Sequence, residues 1–316
     1  MFLPTLSFLA QTPAAPAPAV PAPPAGPYWV HNLDPFALHF PASWPLPGIR
    51  WYGLAYIAGF LMAAGLLRLY AVKGRWPLTS DQRSTLITSL IIGILGGGRL
   101  GYCLLYRPAD FFANPLIIIR VWEGGMASHG GFAGGLLALW WFGRHSRLGF
   151  RQVCDGVATL VSPGLFLGRI ANFVNGELWG KVTTVSWAVI FPVRDQGVLI
   201  GYTEPRHPSQ LYEALLEGLL LALYMQWRWW SGPPPGQPGA RPSGQLAGEF
   251  LIGYALVRMV GEIFREPDEG ISLLLGLSRG TFYSIFMILG GLGFIVASRR
   301  GEKEPPPKPK RRKARR

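Results

Sequence analysis

Seven apolar runs punctuate the chain, at 51–67, 86–106, 130–142, 153–167, 211–230, 246–264 and 280–297. A membrane-crossing helix needs roughly 17–25 mainly apolar residues, a length that all but the third and fourth runs approach or reach. The second is interrupted late by Gly96, Gly97, Gly98 and Arg99. The third is short, so it tilts, enters from a re-entrant segment or begins earlier, near Met126. The pattern predicts an all-α integral membrane protein of about seven transmembrane helices, occupying 49–298. Residues 1–48 differ in kind: a short apolar piece leads into QTPAAPAPAVPAPPAGP, which predicts a largely disordered arm in polyproline II conformation. That first piece has neither the basic start nor the long apolar core of a signal peptide.

Composition agrees with the pattern. The 316 residues are 49% hydrophobic and only 15% charged, with 41 Gly and 12 Trp, which points away from a soluble domain. The net charge of +13 sits mostly in the tail 299–316, where ten Lys/Arg face two Glu. It is therefore no nucleic-acid-binding face. Cys103 and Cys154 lie inside apolar segments and make neither a disulfide framework nor a metal set. Basic residues at 73–83, 144–151 and in the tail place those segments in the cytoplasm and the N-terminus outside. The Pro/Gly-rich linker 231–243 is then cytoplasmic, while 169–209 forms an outward-facing head region, and 265–279 faces outwards as well. No internal repeat suggests a transporter built from duplicated halves.

Four polar constellations fall towards the outer half of the membrane, where ionisable groups face a cavity, a partner or a substrate. The densest is LGRIANFVNGELWGK, which sets Arg169, Asn172, Asn175 and Glu177 just past the fourth run, with Gly168, Gly176 and Gly180 able to turn sharply or pack closely. GGMASHGG presents His129 at the mouth of a span, the leading general-base candidate because imidazole titrates near neutrality. Gly130, Gly131, Gly134 and Gly135 beside it fit small-residue helix packing. In GYALVRMVGEIFREPD, Tyr254, Arg258 and Glu262 stack at i, i+4 and i+8, with Arg265 three further on. Glu262 is either a counter-charge for Arg258 or part of a site, and the stripe is short of negative charge. In RHPSQLYE, Pro208 and Ser209 have a plain capping explanation, and His207 is either structural or a second base candidate. Glu213 and Glu217 should point inwards. Arg99, Tyr102 and Tyr52 are further polar groups able to line the same cavity. Arginines at such a place imply a phosphate, so the chemistry is transfer of, or from, a phospholipid.

The strings GRIANFVNGELWGK, GGMASHGGFAGG, RHPSQLYE, GYALVRMVGEIFREPD, WYGLAYIAGF and GGGRLGYCLLY closely resemble bacterial prolipoprotein diacylglyceryl transferase, from about Trp51 to the last span. The resemblance implies seven spans in the bacterial inner membrane, N-terminus outside and C-terminus in the cytoplasm, without a cofactor. It implies transfer of the diacylglyceryl group of phosphatidylglycerol to the lipobox cysteine thiol of a prolipoprotein, with glycerol phosphate released. Arg169 and Arg258 would hold the lipid phosphate. Asn172, Glu177 and Gly180 match functional signature positions, and Tyr52, Tyr102, His129, Tyr254, Glu262 and Arg265 match polar residues of the family's site. Ala171 stands where many members have Gly, and LSRGTFYSI where relatives commonly show a Gly-Gln pair.

On this reading His129 accepts the thiol proton, since the thiolate is the nucleophile. Cys103 and Cys154 take no part. A phospholipid transporter or scramblase is the alternative, but it wants a polar route through both leaflets, and the inner halves of these spans are mainly apolar.

Overall fold

The computed structural model describes residues 22–24, 26–41, 43–44, 47–120, 124–195, 198–266 and 276–301. The Pro/Ala stretch up to residue 21 and the tail from residue 302 lie outside them, and so do the disordered arm and cytoplasmic tail expected there. The architecture is predominantly helical. Among the described residues four helices are long and apolar enough to cross a membrane by length and composition: α1 (Trp51–Val72), α2 (Ser80–Tyr106), α5 (Phe150–Asn175) and α9 (Arg279–Gly301). Around them stand the short α3 (Pro108–Ala113), α4 (Ser128–Ser146), α6 (Ser209–Glu213), α7 (Leu221–Trp230) and α8 (Gln245–Phe264). A π-helical stretch, Ala214–Leu220, joins α6 to α7 without a break. Leu61, Leu105, Phe132, Leu223 and Phe286 are among many large apolar side chains exposed on the outside. Such a surface is a liability in water and an ordinary one against lipid tails.

Local chemistry explains the ends. Thr79 caps α2 with a reciprocal box: its hydroxyl accepts from Gln82 N while the Gln82 side chain accepts from Thr79 N. α8 is capped from another helix, because buried Asp155 on α5 accepts from Gly244 N at 2.6 Å and Ala247 N at 2.8 Å. A carboxylate suits the positive end of a helix, and here it also fixes where α8 starts relative to α5. Helix α5 is central, packed by α1, α4, α7, α8 and the π stretch. One end of the bundle is filled by Leu67, Tyr70, Trp76, Phe142, Met225 and Trp229, all essentially buried.

Gly96–Arg99 does not interrupt α2, which runs through it as helix. Its glycines serve packing: a Cβ on Gly101 would lie 2.9 Å from Gly130 Cα, and one on Gly97 3.0 Å from Gly134 Cα. Backbone thus meets backbone along the α2–α4 seam.

One expectation needs correcting. The fourth run does not end before Arg169, because α5 continues through Arg169 and Asn172 to Asn175. Polar residues looked like a span's end, but the helix tolerates them by turning them onto buried partners. Within 1–48, expected to be a largely disordered arm, short strands form near its end. β1 (Trp29–Val30) pairs in parallel with β4 (Val189–Ile190), and β2 (Phe36–His39) pairs antiparallel with β3 (Gly48–Arg50). The proline-rich composition hid the aromatic and aliphatic residues between 28 and 40, which have surface to bury. A third two-stranded sheet, β5 (Pro192–Asp195) with β6 (Val198–Tyr202), lies between α5 and α6 in sequence, so short strands accompany the helical fold that was expected.

Candidate active site

Three helical segments converge on a buried ionic network. Arg169 comes from α5, Glu213 from the end of α6, Glu217 from the π stretch, Arg258 and Glu262 from α8, and Arg265 follows α8 directly. Arg169 Nη1 lies 2.9 Å from Glu213 Oε2 and Nη2 2.8 Å from Glu217 Oε2, and its Nε donates to the same Glu217 oxygen at 3.1 Å. Arg258 Nη1 donates to Glu213 Oε1 at 2.5 Å and lies 3.4 Å from Glu217 Oε1, while its Nη2 donates to Glu262. Arg265 Nη1 reaches Glu213 Oε1 at 3.6 Å. Both Glu213 and Glu217 have side chains at 0% exposure.

Three arginines therefore meet three carboxylates, and the formal charges cancel. This corrects the expectation that the α8 stripe is short of negative charge: the missing carboxylates arrive from a different helix. Isolated charges at this depth would cost several kcal/mol each, and only mutual pairing with hydrogen bonds makes them tolerable. The π stretch is part of how they arrive. Gly218 within it lies against α5, where a Cβ would sit 2.9 Å from Phe166 N, and π turns recur at functional sites.

A second layer holds the loop after α5. Asn172 and Asn175 donate to Glu177 Oε1 at 2.8 and 3.3 Å. Gly176 ends the helix at φ +66, and Leu178 follows at φ +58, a conformation that costs a bulky residue of order 1–3 kcal/mol. Gln210 Nε2 donates to Glu177 O at 2.6 Å and Ser209 Oγ to Leu178 O at 3.1 Å, which offsets that strain. Ser209 is therefore not the N-cap of α6: Pro208 occupies that position, and the hydroxyl is spent across the loop. Gly180 has a steric reason, since a Cβ there would lie 2.5 Å from Phe264 O and 2.7 Å from His207 Cβ. Its N–H donates to His207 O and Lys181 N to Phe264 O, both at 2.9 Å. The two conspicuous motifs 168–181 and 206–213 are thus stitched to each other and to the end of α8.

The remaining candidates divide. Tyr254 lies within the field of Arg169, Arg258, Glu213 and Glu217, and Tyr52 reaches Asn172. His207 Nδ1 stands 3.2 Å from the Tyr212 hydroxyl, its ring edge-on to Phe264, and burial lowers its pKa. His129, in the first turn of α4, is exposed, and its ring meets Tyr283 at 5.6 Å between centroids. The start of α9 links it to the network, for Gly280 abuts the Glu262 carboxyl while Tyr283 touches His129. The segment LSRGTFYSI supplies both contacts.

Arg99 and Tyr102 are engaged with backbone ahead of α4 instead. All five N–H groups of Arg99 go to backbone carbonyls: Nε to Ile118, Nη1 to Gly124 and Gly125, and Nη2 to Ile117 and Arg120. Tyr102 packs on that guanidinium and on Gly125. The carboxylates Glu213 and Glu217, with Gln210, are what sequence reasoning left out of the site. The available signal was two glutamates four positions apart in an otherwise apolar run.

Comparison with known proteins gives this geometry its setting. Residues 41–297 match the family model described as prolipoprotein diacylglyceryl transferase. The chain belongs to this family. A phosphatidylglycerol--prolipoprotein diacylglyceryl transferase of Cupriavidus necator is 43% identical over 272 residues, covering 84% of this chain and 92% of its own. Proteins of the same name from Zymomonas mobilis (44% over 257 residues, 81% and 86%) and Bordetella bronchiseptica (43% over 271 residues, 85% and 97%) are similarly related. The family match takes in the whole ionic network and the loop that Asn172 and Gln210 secure.

Proposed function

We propose that this chain transfers the diacylglyceryl group of phosphatidylglycerol to the lipobox cysteine thiol of prolipoproteins in the bacterial inner membrane. The observation that carries the proposal is the convergence of Arg169 and Arg258 on Glu213 and Glu217 among apolar helices. A guanidinium pair held by carboxylates is stable without a ligand, and the orientation those carboxylates impose is the one that pairs two phosphate oxygens. The family's named substrates supply such a phosphate.

In the reaction, the thiol sulfur forms a bond to the glycerol carbon of the diacylglyceryl group as that carbon's bond to the phosphate oxygen breaks. The thiol proton passes to a base, and glycerol phosphate leaves. Arg169 and Arg258 stabilise the charge growing on the phosphate, an effect for which removal of one donor typically costs about 3–4 kcal/mol. Asn172, Glu177 and Gly180 shape the lipid-facing loop; Tyr52, Tyr254, Glu262 and Arg265 complete the lining. His129 is the assigned base: it is exposed, and Tyr283 connects it to the network through α9. His207 is the second candidate, its neutral form favoured by burial. Arg99, with Tyr102, serves by fixing 117–120 and 124–125 rather than by holding lipid, because its donors are already used.

Three further helical stretches, α4, 209–230 and α8, would complete seven spans with the four apolar helices. The basic segments 73–83 and 144–151 support a cytoplasmic placement for those loops, with the N-terminus and a head after α5, from Gly176 to Pro208, outside. Nothing found among the relatives favours a transporter or scramblase.

Mass spectrometry tests the proposal. Detergent-solubilised protein incubated with phosphatidylglycerol and a lipobox peptide should yield a diacylglyceryl thioether and free glycerol phosphate. His129→Ala should slow transfer about 10²–10⁴-fold if it is the base, and His207→Ala much less. The reverse ranking would move the base to His207, and no adduct from wild type would sink the transferase reading.

A further inference from the structure

The described segment ahead of the family match contains one buried titratable side chain that the site described above does not use. His31 follows β1 directly and is 4% exposed. Its backbone N–H donates to Ile190 O at 2.8 Å, continuing the β1–β4 pairing. Its Nε2 lies 2.7 Å from Phe173 O, in the last turn of α5. A carbonyl only accepts, so Nε2 carries the proton. The other nitrogen, Nδ1, is buried without a hydrogen-bond partner. A second proton there would be an unsatisfied buried donor, so the ring is held neutral, and burial lowers its pKa accordingly.

The contact falls on a sensitive turn. Phe173 O also accepts from Gly176 N at 2.9 Å, and Asn172 O from Glu177 N at 3.1 Å. These bonds close α5 between the two asparagines that grip Glu177. The His31 ring fills the space beneath Gly176, where a Cβ would come within 3.4 Å of Nδ1. It packs edge-on to Phe173 at 5.5 Å and against Phe191 at 5.3 Å. Four residues before Phe173 on the same helix stands Arg169. A second donor on a carbonyl of a helix end holds that turn against fraying.

We infer that His31 is a positioning residue for diacylglyceryl transfer: acting through Phe173 O, it fixes the last turn of α5 and with it the Asn172–Glu177 pair and Arg169. The inference rests on the transferase reading for its kinetic arm and on geometry alone for its structural arm. His31→Phe keeps a flat ring and removes the donor, whereas His31→Gln places an amide N–H at the reach of Nε2.

His31→Phe should lower kcat about tenfold, the size of one lost buried hydrogen bond, with KM for a lipobox peptide within about twofold of wild type. Hydrogen exchange of the amides in 173–178 should speed by a similar factor, and His31→Gln should restore both. A His31→Phe protein that melts earlier but keeps wild-type kcat and wild-type exchange at 173–178 would overturn the inference. If His31→Phe does not insert, His31→Asn, whose amide stops short of Phe173 O, takes its place with the same two readouts. If wild type gives no adduct, the transferase reading falls, and exchange at 173–178 still decides whether His31 positions that turn.

Discussion

Arg169 and Arg99 are both arginines in apolar helices, each following glycine in the sequence, yet the protein uses them in opposite ways. Arg169 meets two carboxylates from another stretch of chain, whereas Arg99 donates every N–H to neutral backbone carbonyls. A carbonyl cage satisfies hydrogen bonds and leaves the cation without a counter-ion. It ties down the segment it surrounds, and a ligand could displace it only by unfolding that segment. A carboxylate partner is itself an oxyanion, so the guanidinium it orients already presents its fork in the geometry that pairs phosphate oxygens. Binding capacity therefore depends less on the arginine than on what satisfies it.

The contrast breaks most sharply at Arg169. Arg169→Ala leaves Glu213 and Glu217 short of a partner, and loss of one half of a buried pair costs roughly 3–5 kcal/mol of stability. Transfer should fall about 10²–10³-fold, measured as the initial rate of thioether formation in preparations of matched yield, and Arg169→Lys should recover only part because it lacks the fork. Next in size is Glu213→Gln. Glu213 faces three arginines and Glu217 two, so Glu213→Gln should slow transfer by on the order of thirtyfold and Glu217→Gln by less. Equal or negligible effects would mean that the carboxylates do not hold the arginines in place.

Smaller effects sharpen the comparison. Gly180→Ala should cost about 1–3 kcal/mol of stability through its clash with Phe264 O and His207, read as a lower thermal midpoint together with slower transfer. Arg99→Lys should leave transfer within about threefold of wild type while lowering stability by about 1–3 kcal/mol, because an ammonium has three donors for five carbonyls. Lost transfer with unchanged stability in that variant would return Arg99 to the lipid site.

Much of the molecule was legible in the chain. Hydropathy alone located the long helices in outline, because a run of apolar residues has the same meaning wherever it folds. The motif residues Arg169, Asn172, Glu177, Arg258 and Glu262 announced themselves as polar groups where hydrocarbon penalises them. The Arg258–Glu262 pair was even readable as geometry, since four positions on a helix are neighbours.

What the sequence did not determine is long-range. No local pattern tells that Glu213 and Glu217 answer Arg169 and Arg258, because that depends on α5, the π stretch and α8 lying side by side. Helix α5 runs on through Arg169 to Asn175 only because those partners exist, so a reading that stopped it at the first charge was locally sensible and globally wrong. The same holds for Arg99, whose five carbonyls come from a segment that folds back on α2, and for His31, whose partner lies 142 positions away. The chain by itself fixed which residues could not face lipid, through the free energy of burying each one. Only the tertiary structure decided what each would face instead, because that energy is recovered by partners that packing alone brings together.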